Sequence, residues 1–270
     1  MPRAGLVQKI LGSLCRAACW LTLPTVLLAT LPANAAPMPD DLQLWVPVVL
    51  EQPVGKTRLG LEVQPRVVKN MSELAVVRVR PSLTYDINQH VSLTAGYLWS
   101  PVFSVRPQSG PTRFEQRIWQ QAMLTHTLGR RVRVNHQLRL EERFIPQTDP
   151  VALRGRYLIR GVVPLGQTRW LAVASNEVLW NINDVPGAQA GFSQNRLFGG
   201  LRRHLTPYVF MEGGYMLQLV DQPSPAPTQA NHIVVVRLQA TLPRWLDKPK
   251  VQQPSKPIHP APPGPPVILD

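Results

Sequence analysis

The chain has 270 residues, with 29 lysines and arginines against 16 acidic residues, a formal net charge of +13. Its two cysteines are Cys15 and Cys19, so nothing beyond them forms a disulfide or a thiolate metal site. The basic excess invites a nucleic-acid partner. However, the arginines are spread along alternating segments and no RNP, zinc-finger or helix-turn-helix signature accompanies them, so the sequence is read as binding no nucleic acid.

The first stretch reads as a targeting signal. Arg3, Lys9 and Arg16 form a positive start, Ala17 to Ala29 is mainly apolar, and Ala33-Asn34-Ala35 is an A-x-A cleavage pattern. Residues 1–35 are expected to be a cleavable signal peptide; a retained anchor is the competing reading. Cys15 and Cys19 lie before or at the start of the apolar run, which argues against a lipoprotein.

Strand-like segments follow. Asp41 to Glu51 is rich in Leu and Val and carries Trp45. Thr57 to Val68 sets Arg58, Gly60, Glu62, Gln64 and Arg66 on one parity, with Leu59, Leu61, Val63 and Val67 on the other. Glu73 to Ile87 alternates Arg78, Arg80, Ser82 and Thr84 against Val77, Val79, Leu83 and Tyr85. Gln89 to Trp99 puts Val91, Leu93, Ala95, Tyr97 and Trp99 together. Residues 112 to 144 hold the clearest pattern: two runs flank Gly129-Arg130-Arg131. In the first, Glu115, Arg117, Trp119 and Gln121 share one parity. In the second, Arg133, Asn135, Gln137, Arg139, Glu141 and Arg143 oppose Val134, His136, Leu138 and Leu140, broken only by Glu142. Successive side chains of a strand point to opposite faces, whereas a helix would mix the two sets. Arg154 to Val163, Arg169 to Asn181, Gly191 to Leu205, Pro207 to Val220 and Asn231 to Leu242 complete eleven segments. Each is long enough to cross a hydrocarbon layer as a tilted strand.

The connections alternate in length. Asn88-Gln89, Gly129-Arg131, Leu165-Gln167 and Thr206-Pro207 are tight, whereas Ser100 to Pro111, Pro146 to Ala152, Asn183 to Ala190 and Asp221 to Ala230 are longer and rich in Pro, Gly and Asp. Outer-membrane barrels are built this way. Trp45, Tyr97, Trp99, Trp170 and Trp180, near strand ends, suit an interfacial girdle, while each taken singly reads as ordinary core packing. No run of 18 apolar residues follows the signal, so membrane-spanning helices are not expected.

The fold class expected is therefore all-β: a transmembrane antiparallel β-barrel of about 10–12 strands over residues 36–242. In a bilayer no water satisfies backbone amides, so strands must close without edges, and the polar parity faces inward. That parity assigns to the interior Arg58, Glu62, Arg66, Arg78, Arg80, Glu115, Arg117, Gln121, Arg133, Asn135, Arg139, Glu141, Arg143, Arg154, Arg156, Arg160, Glu177, Gln194, Arg196 and Glu212. Two readings stay open. Such a set fills a narrow barrel with ion pairs and hydrogen bonds; alternatively, arginines outnumbering acids line an anion-selective pore. No catalytic, cofactor-binding or metal residue is assigned. A barrel enzyme acting on lipid or envelope glycan is the alternative; His232, Ser193 and Glu177 are the conceivable constellation, without motif support.

Leu42-Gln43-Leu44-Trp45, Leu61-Glu62-Val63-Gln64-Pro65-Arg66, Arg80-Pro81, Gly96-Tyr97, Arg117-Ile118-Trp119-Gln120-Gln121, Arg139-Leu140-Glu141-Glu142-Arg143-Phe144, Gln194-Asn195-Arg196-Leu197-Phe198-Gly199-Gly200 and Gly214-Tyr215 occur in order from about Asp41 to Leu242. Together they resemble the bacterial barrel family known as domain of unknown function 2490. The resemblance implies an outer-membrane barrel of a Gram-negative bacterium, embedded in outer-membrane lipid, with the barrel-assembly machinery as its partner during biogenesis. It implies no activity and no cofactor. One departure is that the chain continues past Trp245 as a proline-rich tail.

Residues 243–270 are too proline-dense for helix or sheet and are expected to be an extended or disordered periplasmic tail. A solvated linker and a docking peptide for a periplasmic partner are both consistent with that composition. Closure is the awkward point. Tight turns on one side leave Asp41 to Glu51 and Asn231 to Leu242 running the same way. Three solutions follow: ten strands with Asp41 to Glu51 outside the sheet, twelve with one more strand, or eleven with a parallel seam. An even, antiparallel barrel with Asp41 to Glu51 irregular is the expectation; Pro47, with no ladder donor, suits a segment at a seam or outside the sheet better than a central strand.

Overall fold

The computed structural model of the protein describes residues 40–103, 113–129, 131–146, 149–186, 188–222 and 228–243. The expected signal peptide, and the tail beyond Pro243, lie outside the described residues. The strands are β1 (Asp40–Trp45), β2 (Val48–Val54), β3 (Thr57–Val68), β4 (Glu73–Asp86), β5 (Val91–Val102) and β6 (Arg113–Leu128). Then follow β7 (Val132–Phe144), β8 (Ala152–Pro164), β9 (Trp170–Asn181), β10 (Gly191–His204), β11 (Val209–Val220) and β12 (Gln229–Thr241). From β2 to β12 each strand pairs antiparallel with the next in sequence.

Closure departs from the even antiparallel expectation. β1 and β2 occupy one position in the ring. Both pair in parallel with β12, Asp40 with Ala230 through Trp45 with Val235, then Val48 with Leu238 through Glu51 with Thr241. Both also pair antiparallel with β3, Trp45 with Arg66 and then Val48 with Val63. The two registers continue unbroken across Val46-Pro47, so Asp40 to Val54 is one interrupted strand and the barrel has eleven positions. Neighbours that alternate direction around an odd ring must include one parallel pair, and this is it. Pro47 breaks the strand without opening the wall: its carbonyl accepts from Leu238 N at 3.0 Å, and Val46 N donates to Pro65 O at 3.1 Å.

The turns sort by end of the barrel. At one end the chain reverses sharply, and Gly129 has φ 62°, a left-handed value that glycine adopts without a Cβ penalty. Residues 145–151, 182–190 and 221–228 connect strands at the other end, though β5 runs on through Ser100-Pro101-Val102, past the boundary expected for it. Lys69–Ser72 is the exception, a short turn on the long-loop end. Lys69, Asn70 and Met71 all have left-handed φ (51°, 55° and 62°), a conformation that costs non-glycine residues and must be held by its surroundings. Asn70 N donates to Asp41 Oδ1 at 3.0 Å and Met71 N to Leu42 O at 3.0 Å, so this turn clamps the start of the seam strand.

Side chains are distributed opposite to those of a water-soluble sandwich. Outward positions carry Leu59, Leu138 and Leu197 at 51%, 55% and 55% exposure, and comparable residues surround the barrel. Inward positions carry Arg117, Glu141 and Glu212 at 4%, 2% and 2%. An apolar layer lies inside as well: Trp45, Val162, Val173, Phe198, Ile233 and Val235, with Leu171 and Met216 packed on it. Trp45 is thus an interior residue, and the girdle position expected for it is corrected. Its parity on β1 is inward, shared with Gln43, whose Oε1 accepts from Trp45 Nε1 at 2.9 Å. Tyr97, Trp99 and Trp170 do stand exposed.

Candidate functional site: the arginine-rich interior

Residues two apart on a strand share a face, so Glu115 and Arg117, Arg139 and Glu141, and Arg154 and Arg156 all project inward together. Directly opposed residues across the strands are often both arginines: Arg117 faces Arg143, and Arg139 faces Arg156. Like charges in such pairs repel, so the carboxylates bond diagonally instead. Arg117 donates through Nε and Nη2 to the two oxygens of Glu115, both at 3.0 Å, and through Nη1 to Glu141 at 2.8 Å. Arg143 Nε donates to Glu115 at 2.6 Å. Arg156 Nη1 donates to the other oxygen of Glu141, and its Nε to Glu177 at 3.0 Å. Arg196 Nη1 donates to Glu177 at 2.9 Å. The result is one chain of alternating charge from β6 to β10.

Two further carboxylates organise other parts of the wall. Glu212 accepts from Arg160, and from Arg202 Nε at 3.1 Å. Glu62 accepts from Arg80 at 2.9 Å, and Arg58 bonds Asp86 near the tight-turn end with Nη2–Oδ1 at 2.9 Å. Charged hydrogen bonds of this kind repay burial only when the remaining donors and acceptors are also satisfied.

Several arginines lack that compensation. Among the described residues Arg66, 8% exposed, bonds only the amide oxygen of Gln64 (2.9 Å), and it lies 3.3 Å over the Trp45 ring. Arg154 bonds Asn181 at 3.2 Å and Ser193 at 3.4 Å. Arg139 bonds Gln121 at 2.9 Å, stacks 4.2 Å from Trp119, and has Glu141 no nearer than 3.9 Å. Arg78 Nε, Arg237 Nε and Trp119 Nε1 are buried donors without an acceptor among the described residues. Fourteen of the sixteen acidic residues are described, leaving only Asp247 and Asp270, so the undescribed connecting loops hold no missing carboxylate.

The interior holds a partly open cavity of about 270 Å³. Arg58, Arg66, Arg80, Arg139, Arg156, Arg160, Arg196 and Arg237 line it, against Glu51, Glu62, Glu177 and Glu212. Eight cations meet four anions there. Of the other residues assigned inward from sequence, Gln121 also lines the cavity, and Asn135 accepts from Thr125 Oγ1 at 3.0 Å. Gln194 accepts from Arg196 Nη2 at 2.9 Å, and Arg133 stands half-buried at the start of β7. Arg202, Arg237 and Gln239 are interior residues that the sequence assignment omitted. On β12 the apolar run Ile233-Val234-Val235-Val236 hides the alternation; only Asn231, Arg237 and Gln239 on one parity betray it.

The His232, Ser193 and Glu177 constellation does not assemble. His232 is on the outward parity of β12, its Nδ1 2.6 Å from the exposed Tyr215 hydroxyl, while Ser193 is buried against Arg154 and Glu177 is bonded to Arg156 and Arg196. Among the described residues no group of three or more His, Cys, Asp and Glu is arranged to hold a metal, and no helix is long and apolar enough to cross a membrane.

The family model described as Protein of unknown function (DUF2490) matches residues 42–229. An uncharacterized protein of Methylorubrum extorquens is 30% identical over 190 residues, covering 69% of this chain and 81% of that protein. No solved structure matches.

Proposed function

This chain belongs to the family described as Protein of unknown function (DUF2490), and on that premise we propose that it is an outer-membrane β-barrel of a Gram-negative cell with a narrow, anion-preferring interior. One observation carries the reading: the wall is apolar outside and charged inside. An outer belt of exposed leucines, valines and aromatics is unfavourable in water and suited to hydrocarbon. Closure of the backbone ladder meets the requirement that no edge remain unsatisfied in lipid. The excess of arginine over glutamate around the cavity gives it a positive potential, which admits anions and repels cations. On this reading residues 1–35 direct export and are removed, the barrel-assembly machinery inserts residues 36–242, and the tight turns and proline-rich tail are periplasmic. The tail is then available to a periplasmic partner.

Fractionation and electrophysiology test the proposal. The mature protein should partition with the outer membrane and migrate faster in gels before boiling than after. Purified protein in a planar bilayer under a potassium chloride gradient should give small conductances whose reversal potential has the sign of chloride preference. Recovery as a soluble monomer without detergent would overturn the membrane reading; cation preference or no conductance would overturn the anion conduit.

A further inference from the structure

We propose that the cavity is a binding site for one small oxyanion with at least two acidic oxygens, held by Arg66, Arg139 and Arg237 around Glu62. The inference deepens the anion-preferring reading of the interior and rests on it, because the ligand must reach the inside of the barrel.

Three observations converge. First, Arg66, Arg80, Arg139 and Arg237 line the cavity together with Glu62, and among the described residues only Arg80 bonds it. Three further cations therefore share the cavity with a carboxylate already engaged by Arg80. Second, the cavity wall carries eight guanidiniums against four carboxylates, so its lining is short of negative charge. A cation would worsen that imbalance, whereas an oxyanion supplies acceptors and charge together. Third, the stacking and neutral hydrogen bonds that hold Arg66 and Arg139 leave Arg66 without a carboxylate among the described residues and Arg139 with Glu141 no nearer than 3.9 Å. Trp45 lies under Arg66 and Trp119 under Arg139, with Gln64 and Gln121 as neutral acceptors. Such planar forks, fixed by stacking, are suited to bidentate capture of phosphate or carboxylate oxygens.

Size narrows the class. About 270 Å³ is room for a phosphate or a short dicarboxylate. Chloride, with a single centre, would not span forks presented from β3, β7 and β12.

The test is equilibrium dialysis of the purified full-length barrel in detergent against radiolabelled inorganic phosphate and, separately, labelled succinate, at constant ionic strength. Saturable binding of one equivalent is expected for at least one of the two, competed by its unlabelled form and not by equimolar chloride. Arg237→Gln removes no ion pair and should weaken binding by at least about tenfold. Arg66→Gln should do the same, and the outward Arg203→Gln, which sits over Trp170, should leave affinity unchanged. Heat-modifiable migration verifies that each variant is folded. Absence of saturable binding of both probes to the folded barrel, or equal affinity in all three variants, overturns the site. Conductance of the same preparations separates the two readings: binding without conductance removes the conduit and keeps the site, and conductance without binding does the reverse.

Discussion

The wall from β6 to β10 and the wall around the seam hold the same residue type in opposite circumstances. On the first, Arg117, Arg156 and Arg196 are tied through Glu115, Glu141 and Glu177 into a continuous network. On the second, Arg66 and Arg237 flank a strand whose inward residues are Gln43, Trp45, Pro47, Val49 and Glu51, and neither has a carboxylate within ion-pair distance among the described residues. A saturated network holds a barrel in shape and offers nothing to a ligand. An arginine braced by an indole and an amide keeps its charge available. Counting arginines would not distinguish the two; their partners do.

The largest expected effect comes from breaking the saturated wall. Glu141→Gln leaves Arg117 and Arg156 each short of a buried partner and should destabilise the barrel by about 3–5 kcal/mol, read as the urea midpoint for unfolding from phospholipid vesicles. Next comes the contrast between the two faces of β7. Leu138→Lys should cost about 2–4 kcal/mol in the same assay, and Gln137→Lys, one residue away but lining the cavity, less than half as much. Equal costs at both positions would mean that the outer face does not meet lipid. Asp41→Ala removes the acceptor that holds the left-handed turn at Asn70 and should cost about 1 kcal/mol, with early loss of amide protection at residues 69–72. Smallest of all, Arg237→Gln should change stability by less than about 1 kcal/mol, because no ion pair is lost. A cost as large as that of Glu141→Gln would erase the distinction between the walls.

Much of this was legible in the chain. The alternation of Arg133 through Arg143 with Val134 through Leu140 defines β7, and Thr57 to Val68 matches β3 residue for residue, because a strand with two unlike faces writes its period into the sequence. Direction is not written there. Asp41 to Glu51 reads the same whether its neighbour runs parallel or antiparallel, so the seam had to come from pairing across the whole chain. Pro47 pointed to a segment at a seam or outside the sheet, and the seam is where it lies, with both registers crossing it unbroken. Trp45 looked like a girdle residue because aromatic identity carries no face; only its shared parity with Gln43 does. Arg237 was missed because β12 buries apolar residues on its inward side as well, which removes the contrast that exposes a face.

The parallel seam also sets a kinetic problem. Asp40 pairs with Ala230, and Glu51 with Thr241, so the contacts that complete the ring are nearly the whole barrel apart in sequence, whereas the other pairings join strands adjacent in sequence. Loop-closure entropy makes such long-range pairing slow, and hairpins built from neighbours form first. The chain must then pass through an open sheet whose two edges, β1–β2 and β12, point the same way with their amides unpaired. Unpaired edges recruit other strands. What protects this barrel from pairing with its neighbours is therefore the speed with which its first strand finds its last.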